Sequence, residues 1–212
     1  QITKEGIRIH AAEDFAGMRK AGAMASQILD EVGPLVQPGT TTGVLDDFIR
    51  NRVEELGATS ATIGYRGYQH ASCISVNHVV CHGIPGEKAL QNGDILNIDV
   101  TVIVDGWFGD TSRMYVAGKP SVKSQRLIQV THDSLMKGIE VVRPGATFGD
   151  IGAAIQTYAE GHRMSVVRDF CGHGLGRVFH APPNVLHFGR AGKGPVLEEG
   201  MFFTIEPMIN LG

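Results

Sequence analysis

Asp99 and Asp110 lie eleven residues apart in a stretch whose pattern sets both on one surface. From Ile95 to Val104 residue character alternates. Leu96, Ile98, Val100, Val102 and Val104 are apolar, and Asn97, Asp99 and Thr101 between them are polar, which is the period of a strand with one buried face. Asp105-Gly106 is a dipeptide preferred in two-residue hairpin turns. A turn there pairs Val104 with Trp107, Thr101 with Asp110 and Asp99 with Ser112. Side-chain parity then makes the two carboxylates diagonal neighbours on the same face, about 7–8 Å apart at the backbone. Two carboxylates converging across such a gap repel unless a cation lies between them. An aspartate pair on a solvated sheet face would need no cation. Here the neighbours Asn97, Thr101 and Ser112 are small and polar, as in a pocket wall, and the opposite strand face is wholly apolar. A third carboxylate, Glu206, takes the position equivalent to Asp99 in an internal repeat. The pattern points to a metal centre.

Nine histidines are more than structural roles usually require, and three sit in glycine-rich surroundings. They are His82, in Cys81-His82-Gly83-Ile84-Pro85, and His173 and His180, in the run from Cys171 to His180. Glycines on both sides of His173 suggest a backbone that comes close to a ligand, and the acidic set makes His173 a candidate nitrogen ligand. His82 and His180 suit substrate hydrogen bonding or proton transfer. His10, His70, His78, His132, His162 and His187 read as ordinary surface or core residues. The glycines at 172, 174 and 176 lack the spacing of a phosphate loop and a helix to follow. Cys81 next to His82 is a neighbour pair in sequence, which is no evidence of thiolate catalysis.

The elements that must position these residues come in two similar sets. Pro38-Gly39-Thr40-Thr41-Thr42-Gly43 recurs as Pro144-Gly145-Ala146-Thr147-Phe148-Gly149, at an offset of 106, and Leu90–Asp99 recurs as Leu197–Glu206, at 107. Two matches at nearly one offset indicate a duplicated half. In each half an amphipathic helix comes first (Phe15 to Val32; Leu127 to Val142). A Pro-Gly turn follows, then a threonine able to cap a second helix, with stripes Val44 or Leu45, Phe48, Ile49 and Val53, and Ile151, Ala154, Ile155 and Tyr158. Strands are expected at Ser72–Asn77, Ile95–Val104 and Trp107–Val116, then at Val166–Phe170 and Met201–Asn210. Helix pairs followed by strands, twice, give an α+β fold with pseudo-two-fold internal duplication, helices packed on an antiparallel sheet. Without a linker, residues 1–212 read as a single domain with halves of about 12–118 and 119–212. The repeat sets the counterpart of Asp110 near position 217, beyond Gly212, so the second half is expected to be C-terminally incomplete.

Composition narrows the class. A net charge of −3 over 212 residues and balanced hydropathy fit a soluble globular chain and give no electrostatic footprint for DNA. No apolar run approaches the roughly 20 residues of a membrane span. Residues Gln1 to Ile9 lack the features of a secretory signal. Three cysteines without a CxxC pair favour a reducing, cytoplasmic setting.

The strings Tyr65-Arg66-Gly67-Tyr68, Cys73-Ile74-Ser75-Val76-Asn77, Cys81-His82-Gly83-Ile84-Pro85, Asn97-Ile98-Asp99, Gly109-Asp110-Thr111, Gly172-His173-Gly174-Leu175-Gly176 and Thr204-Ile205-Glu206-Pro207, in this order, resemble the type I methionine aminopeptidases. The likeness runs over essentially the whole chain. It implies the pita-bread fold, a dinuclear centre holding two divalent ions (Co, Mn, Fe or Zn), and removal of the initiator methionine from nascent polypeptides through a metal-bridging water. It implies Asp99, Asp110, His173 and Glu206 as metal ligands, with Asp110 bridging. His82, His180 and Glu206 would be catalytic, with Glu206 the proton shuttle. Tyr65, Tyr68, Cys73 and Phe179, with His82 and His180, would bind substrate. The family carries one more bridging Glu after Glu206, and no Asp or Glu follows Glu206 here. The expected partners are peptides with an N-terminal Met, with the ribosome as the place of encounter and the chain a monomer. The rivals are an Xaa-Pro-type pita-bread peptidase, which would lack the Tyr65–Pro85 string, and a non-catalytic pita-bread binding protein.

Overall fold

The computed structural model describes residues 1–212. Backbone proximity divides them into two compact units, Phe15–Ser124, and Gln1–Asp14 with Gln125–Gly212.

In the unit Phe15–Ser124, α1 (Asp14–Val32) buries Ala21, Ala25, Ile28, Leu29 and Val32, the three- and four-residue spacing of one helical face. α2 (Thr42–Glu55) starts where the Thr41 hydroxyl accepts the Val44 N–H at 3.2 Å. Its stripe resolves onto Leu45, Ile49 and Val53, and Val44 is exposed. β3 (Ile95–Val104) is the central strand, pairing along its length with β4 (Trp107–Val116). Its other edge is shared end to end by β1 (Thr59–Ser60) and β2 (Ser72–Val76), and all pairings are antiparallel. Leu96, Ile98, Val100 and Val102 of β3 are fully buried, each contributing roughly 1.5–3 kcal/mol to the hydrophobic stabilisation. The hairpin register is the expected one, with Val104 opposite Trp107, Thr101 opposite Asp110 and Asp99 opposite Ser112. Asp105 and Gly106 turn the chain with φ of 52° and 79°, both left-handed, as a type I′ turn requires.

In the other unit, α3 (Val122–Glu140) lies against α4 (Phe148–Gly161). At Gly138 a side chain would run into Ile151 and Ile155, so glycine permits a close helix approach. Thr147 and Asp150 form a reciprocal capping box at the start of α4. Ile7, Val130, Phe148, Ile151, Ile155 and Val185 belong to one buried cluster. The N-terminal residues join it: His10 stacks on Phe202 at 4.3 Å and donates its backbone N–H to the Gly200 carbonyl at 2.8 Å. Two short ladders complete the unit, β5 (Met164–Val166) with β8 (Ile209–Leu211) and β6 (Gly172–Gly174) with β7 (Ala181–Val185).

The strand expectations for this second half need correction. The segment expected at Val166–Phe170 is a ladder only at Met164–Val166, and of Met201–Asn210 only Ile209 and Asn210 are in a strand, with Phe203 making a lone bridge to Gly174. The sequence is apolar enough for strand, but only the ends of residues 204–208 bond to neighbouring backbone, at His173 of β6 and at Val167 just after β5. The short strands β1, β6 and β7 were not expected. β6 is two glycines around a histidine, which carry no strand propensity of their own.

The duplication is visible in the backbone. Thr41 bridges Ala89 and Thr147 bridges Val196. Gly39 N–H donates to Leu90 O at 2.7 Å and Gly145 N–H to Leu197 O at 3.0 Å; Gly43 N–H donates to Gly86 O at 2.8 Å and Gly149 N–H to Lys193 O at 2.9 Å. No helix is long and apolar enough to cross a membrane.

Candidate functional site

Across three strands of the first unit, Cys73 of β2, Asp99 of β3 and Ser112 of β4 are directly opposite one another. Two positions along, Thr101 faces Asp110 and its hydroxyl donates to Asp110 Oδ1 at 3.0 Å. Asn97 donates to the Ser112 hydroxyl at 3.2 Å. The small polar residues that flank the aspartates in sequence therefore orient groups on the carboxylate face. That face is half-buried, whereas the opposite face of β3 is core.

The pocket candidates sit at the start of β2. The Tyr68 hydroxyl donates to the Ser72 carbonyl at 2.8 Å. Burial, then a side-chain hydrogen bond with Cys73, pushes the Tyr68 phenol well above its ordinary range. Burial chiefly, with the nearby Asp99 charge, pushes the Cys73 thiol up to about 11. Cys73 is therefore a neutral thiol at neutral pH and an apolar, polarisable wall. Behind this segment Asp46 of α2 is almost wholly buried. It accepts from the Ser72 N–H at 2.8 Å, the Ser72 hydroxyl at 2.7 Å and His70 Nδ1 at 3.2 Å, with Arg50 Nη2 at 3.5 Å.

His82 is held on a left-handed residue, φ 53°, a conformation that costs a non-glycine residue of order 1 kcal/mol. The cause is its neighbour. Gly83 lies flat on β2, exchanging hydrogen bonds with Ile74 N–H and the Ser75 hydroxyl at 2.8 and 3.0 Å, and a Cβ there would collide with the Ile74 carbonyl. The loop is thus pinned one residue after the histidine.

In the second unit His173 lies in β6, 8% exposed. Its Nδ1–H donates to the Gly174 carbonyl at 3.0 Å, so the neutral ring carries its lone pair on Nε2, 3.6 Å from Glu206 Oε1. Thr204 links the two: its Oγ1 accepts the His173 N–H at 2.9 Å and donates to Glu206 Oε1. His180 stacks on Phe179 at 4.1 Å and lies 4.2 Å from the His173 ring. The glycines around His173 admit neighbouring backbone: a Cβ on Gly172 would strike the Thr204 carbonyl, and one on Gly174 the Pro182 carbonyl.

His187 is a residue that sequence reasoning missed. It is fully buried, its Nε2 accepts the Glu206 N–H at 3.0 Å, and burial lowers its pKa to about 4. No periodic signal marks it, because its partner is a main-chain group.

Each unit thus presents one pair, Asp99 with Asp110 and His173 with Glu206, and no three His, Cys, Asp or Glu side chains are gathered as a metal set. Carboxylates with one imidazole whose Nε2 carries the lone pair are donors that fit a divalent ion of intermediate hardness. A groove of about 510 Å³ lined by Lys137, Glu140, Arg143, Ala154 and Tyr158 contains none of the candidate residues.

Residues 16–212 match Metallopeptidase family M24. A methionine aminopeptidase of Rickettsia prowazekii (strain Madrid E) is 58% identical over 206 residues, covering 97% of this chain and 80% of that protein. Its crystal structure superimposes with a TM-score of 0.96 over 97% of this chain and 83% of that one. The crystal structure of a methionine aminopeptidase from Thermotoga maritima matches with a TM-score of 0.95 at 36% identity, over 97% of this chain and 83% of that one. A prolidase from Pyrococcus horikoshii OT3 shares the fold, TM-score 0.79 at 20% identity over 94% of this chain and 55% of that one.

Proposed function

The chain belongs to metallopeptidase family M24, and on that premise we propose that it is a metal-dependent aminopeptidase that hydrolyses N-terminal methionine from nascent polypeptides. The observation that carries this reading is 58% identity across 97% of the chain with a relative named methionine aminopeptidase. The likeness to the prolidase, at 20% identity, is a likeness of fold.

The fold is the pita-bread fold, and residues 1–212 act as a single domain. Asp99, Asp110, His173 and Glu206 would hold the metal, two divalent ions per chain. Bound metal supplies polarisation of the scissile carbonyl and a lowered pKa for water. The donor set suits Mn²⁺, Fe²⁺, Co²⁺ and Zn²⁺ alike. Glu206 takes a proton from the attacking water and returns it to the leaving nitrogen. His180 donates to the carbonyl oxygen as negative charge develops there, and His82 orients the peptide. Tyr65, Tyr68, Cys73 and Phe179 line the methionine pocket. The neutral Cys73 thiol and the tied Tyr68 hydroxyl support that role, since a thioether side chain packs best against polarisable and aromatic surface. Three cysteines that form no disulfide support a reducing, cytoplasmic setting, where the chain acts as a monomer on substrates emerging from the ribosome.

The test is hydrolysis of Met-Ala-Ser against an Ala-Pro peptide by the metal-loaded chain. Release of methionine from the first, with the second left intact, is expected. Cleavage of the Ala-Pro bond alone would overturn the reading in favour of an Xaa-Pro peptidase.

A further inference from the structure

Residues 204–208 belong to no ladder, yet their backbone is fixed at alternate positions. Thr204 N–H donates to His173 O at 2.8 Å, and Met208 O accepts from Val167 N–H at 3.0 Å. Between them the Glu206 N–H donates to a side chain, His187 Nε2, at 3.0 Å. An imidazole thus takes the place that a strand neighbour's carbonyl would fill in a ladder. Because Nε2 accepts, the neutral ring carries its hydrogen on Nδ1. That Nδ1 is buried and has no hydrogen-bond partner, an arrangement that costs roughly 1–3 kcal/mol. A site selected for packing alone would hold an apolar side chain there at no such cost. What the histidine adds is one acceptor, aimed at the backbone of Glu206. The carboxylate of the same residue is gripped separately by the Thr204 hydroxyl.

We propose that His187 is a positioning residue. By accepting the Glu206 N–H it sets the backbone from which the Glu206 carboxylate is presented, and so governs metal affinity and turnover without touching substrate. The proposal rests on the role given to Glu206 above. Two substitutions separate the acceptor from the volume. His187→Gln keeps an acceptor at about the distance of Nε2, and His187→Met keeps the bulk and removes it.

The readouts are Mn²⁺ affinity by calorimetric titration and kcat and KM on Met-Ala-Ser. His187→Met is expected to weaken Mn²⁺ binding about 10- to 100-fold, the usual effect of losing an outer-shell partner, and to lower kcat more than it raises KM. His187→Gln is expected to recover most of both. Equal values for wild type and both variants, or equal losses in the two variants, would overturn the positioning role. A wild-type chain that neither binds Mn²⁺ nor releases methionine would instead overturn the functional reading itself. Should His187→Met not fold, ¹⁵N NMR of the wild-type chain decides. The expected result is the Nδ1–H tautomer with a slowly exchanging Glu206 amide, and an Nε2–H tautomer would overturn the proposal.

Discussion

At the scale of single residues, the carboxylate pair is held by local chemistry. Asp110 receives the Thr101 hydroxyl at 3.0 Å, so its orientation is set by the strand partner that the hairpin register dictates. Asp110→Asn keeps the shape and hydrogen bonding while removing the negative charge a cation needs. Calorimetry should show divalent-metal affinity falling by more than about 100-fold, since losing even an outer-shell partner costs 10- to 100-fold; affinity equal to wild type would remove Asp110 from the ligand set. Asp99 and Asp110 were legible in the sequence because strand alternation and an Asp-Gly turn fix which residues share a face. His187 was not. It bonds to a main-chain N–H nineteen residues away, and nothing in the residue types at 187 or 206 encodes that pairing. The glycines flanking His173 were legible as close-approach positions, but only the fold shows that the approaching groups are the carbonyls of Thr204 and Pro182.

At the scale of elements, α2 and β2 are tied by a buried charge. Asp46 holds the Ser72 N–H and hydroxyl, His70 and Arg50, and so fixes the segment that carries Tyr68 and Cys73. Asp46→Ala would strand the buried Ser72 donors, and chemical denaturation should show a loss of about 1–3 kcal/mol, the cost of leaving buried donors unsatisfied. A loss below about 1 kcal/mol would mean that water replaces the carboxylate. α1 and β4 are tied more gently, by the Tyr115 hydroxyl donating to the Leu29 carbonyl. Burial pushes that phenol up to about 12, from about 10 in an unfolded chain. The folded state therefore holds the proton more tightly, and this contribution is complete below pH 10 and lost as pH rises through 12. Urea midpoints should fall more steeply between pH 10 and 12 for wild type than for Tyr115→Phe; parallel curves would contradict this. The helices, both threonine caps and the β3–β4 register were readable because each depends on residues close in sequence. The short ladders of the second half were not, because pairing there is decided by which distant backbone lies alongside.

At the scale of the whole molecule, the duplication was legible from two short strings at offsets of 106 and 107, and it reappears as matched bridges and backbone hydrogen bonds in each unit. The two halves have diverged in the use made of the equivalent strand. In the first it is a ten-residue central strand carrying Asp99, and in the second Glu206 lies outside any ladder and is held by the side chains of His187 and Thr204. Identity of 58% over 97% of the chain with a methionine aminopeptidase is the observation on which the proposed activity rests. The most direct test of that activity is methionine release from Met-Ala-Ser by chain stripped with a chelator and then titrated with Mn²⁺. The metal-free chain should be silent and the rate should return as Mn²⁺ is added. Release that proceeds undiminished in the metal-free chain would contradict metal-dependent aminopeptidase action by this protein.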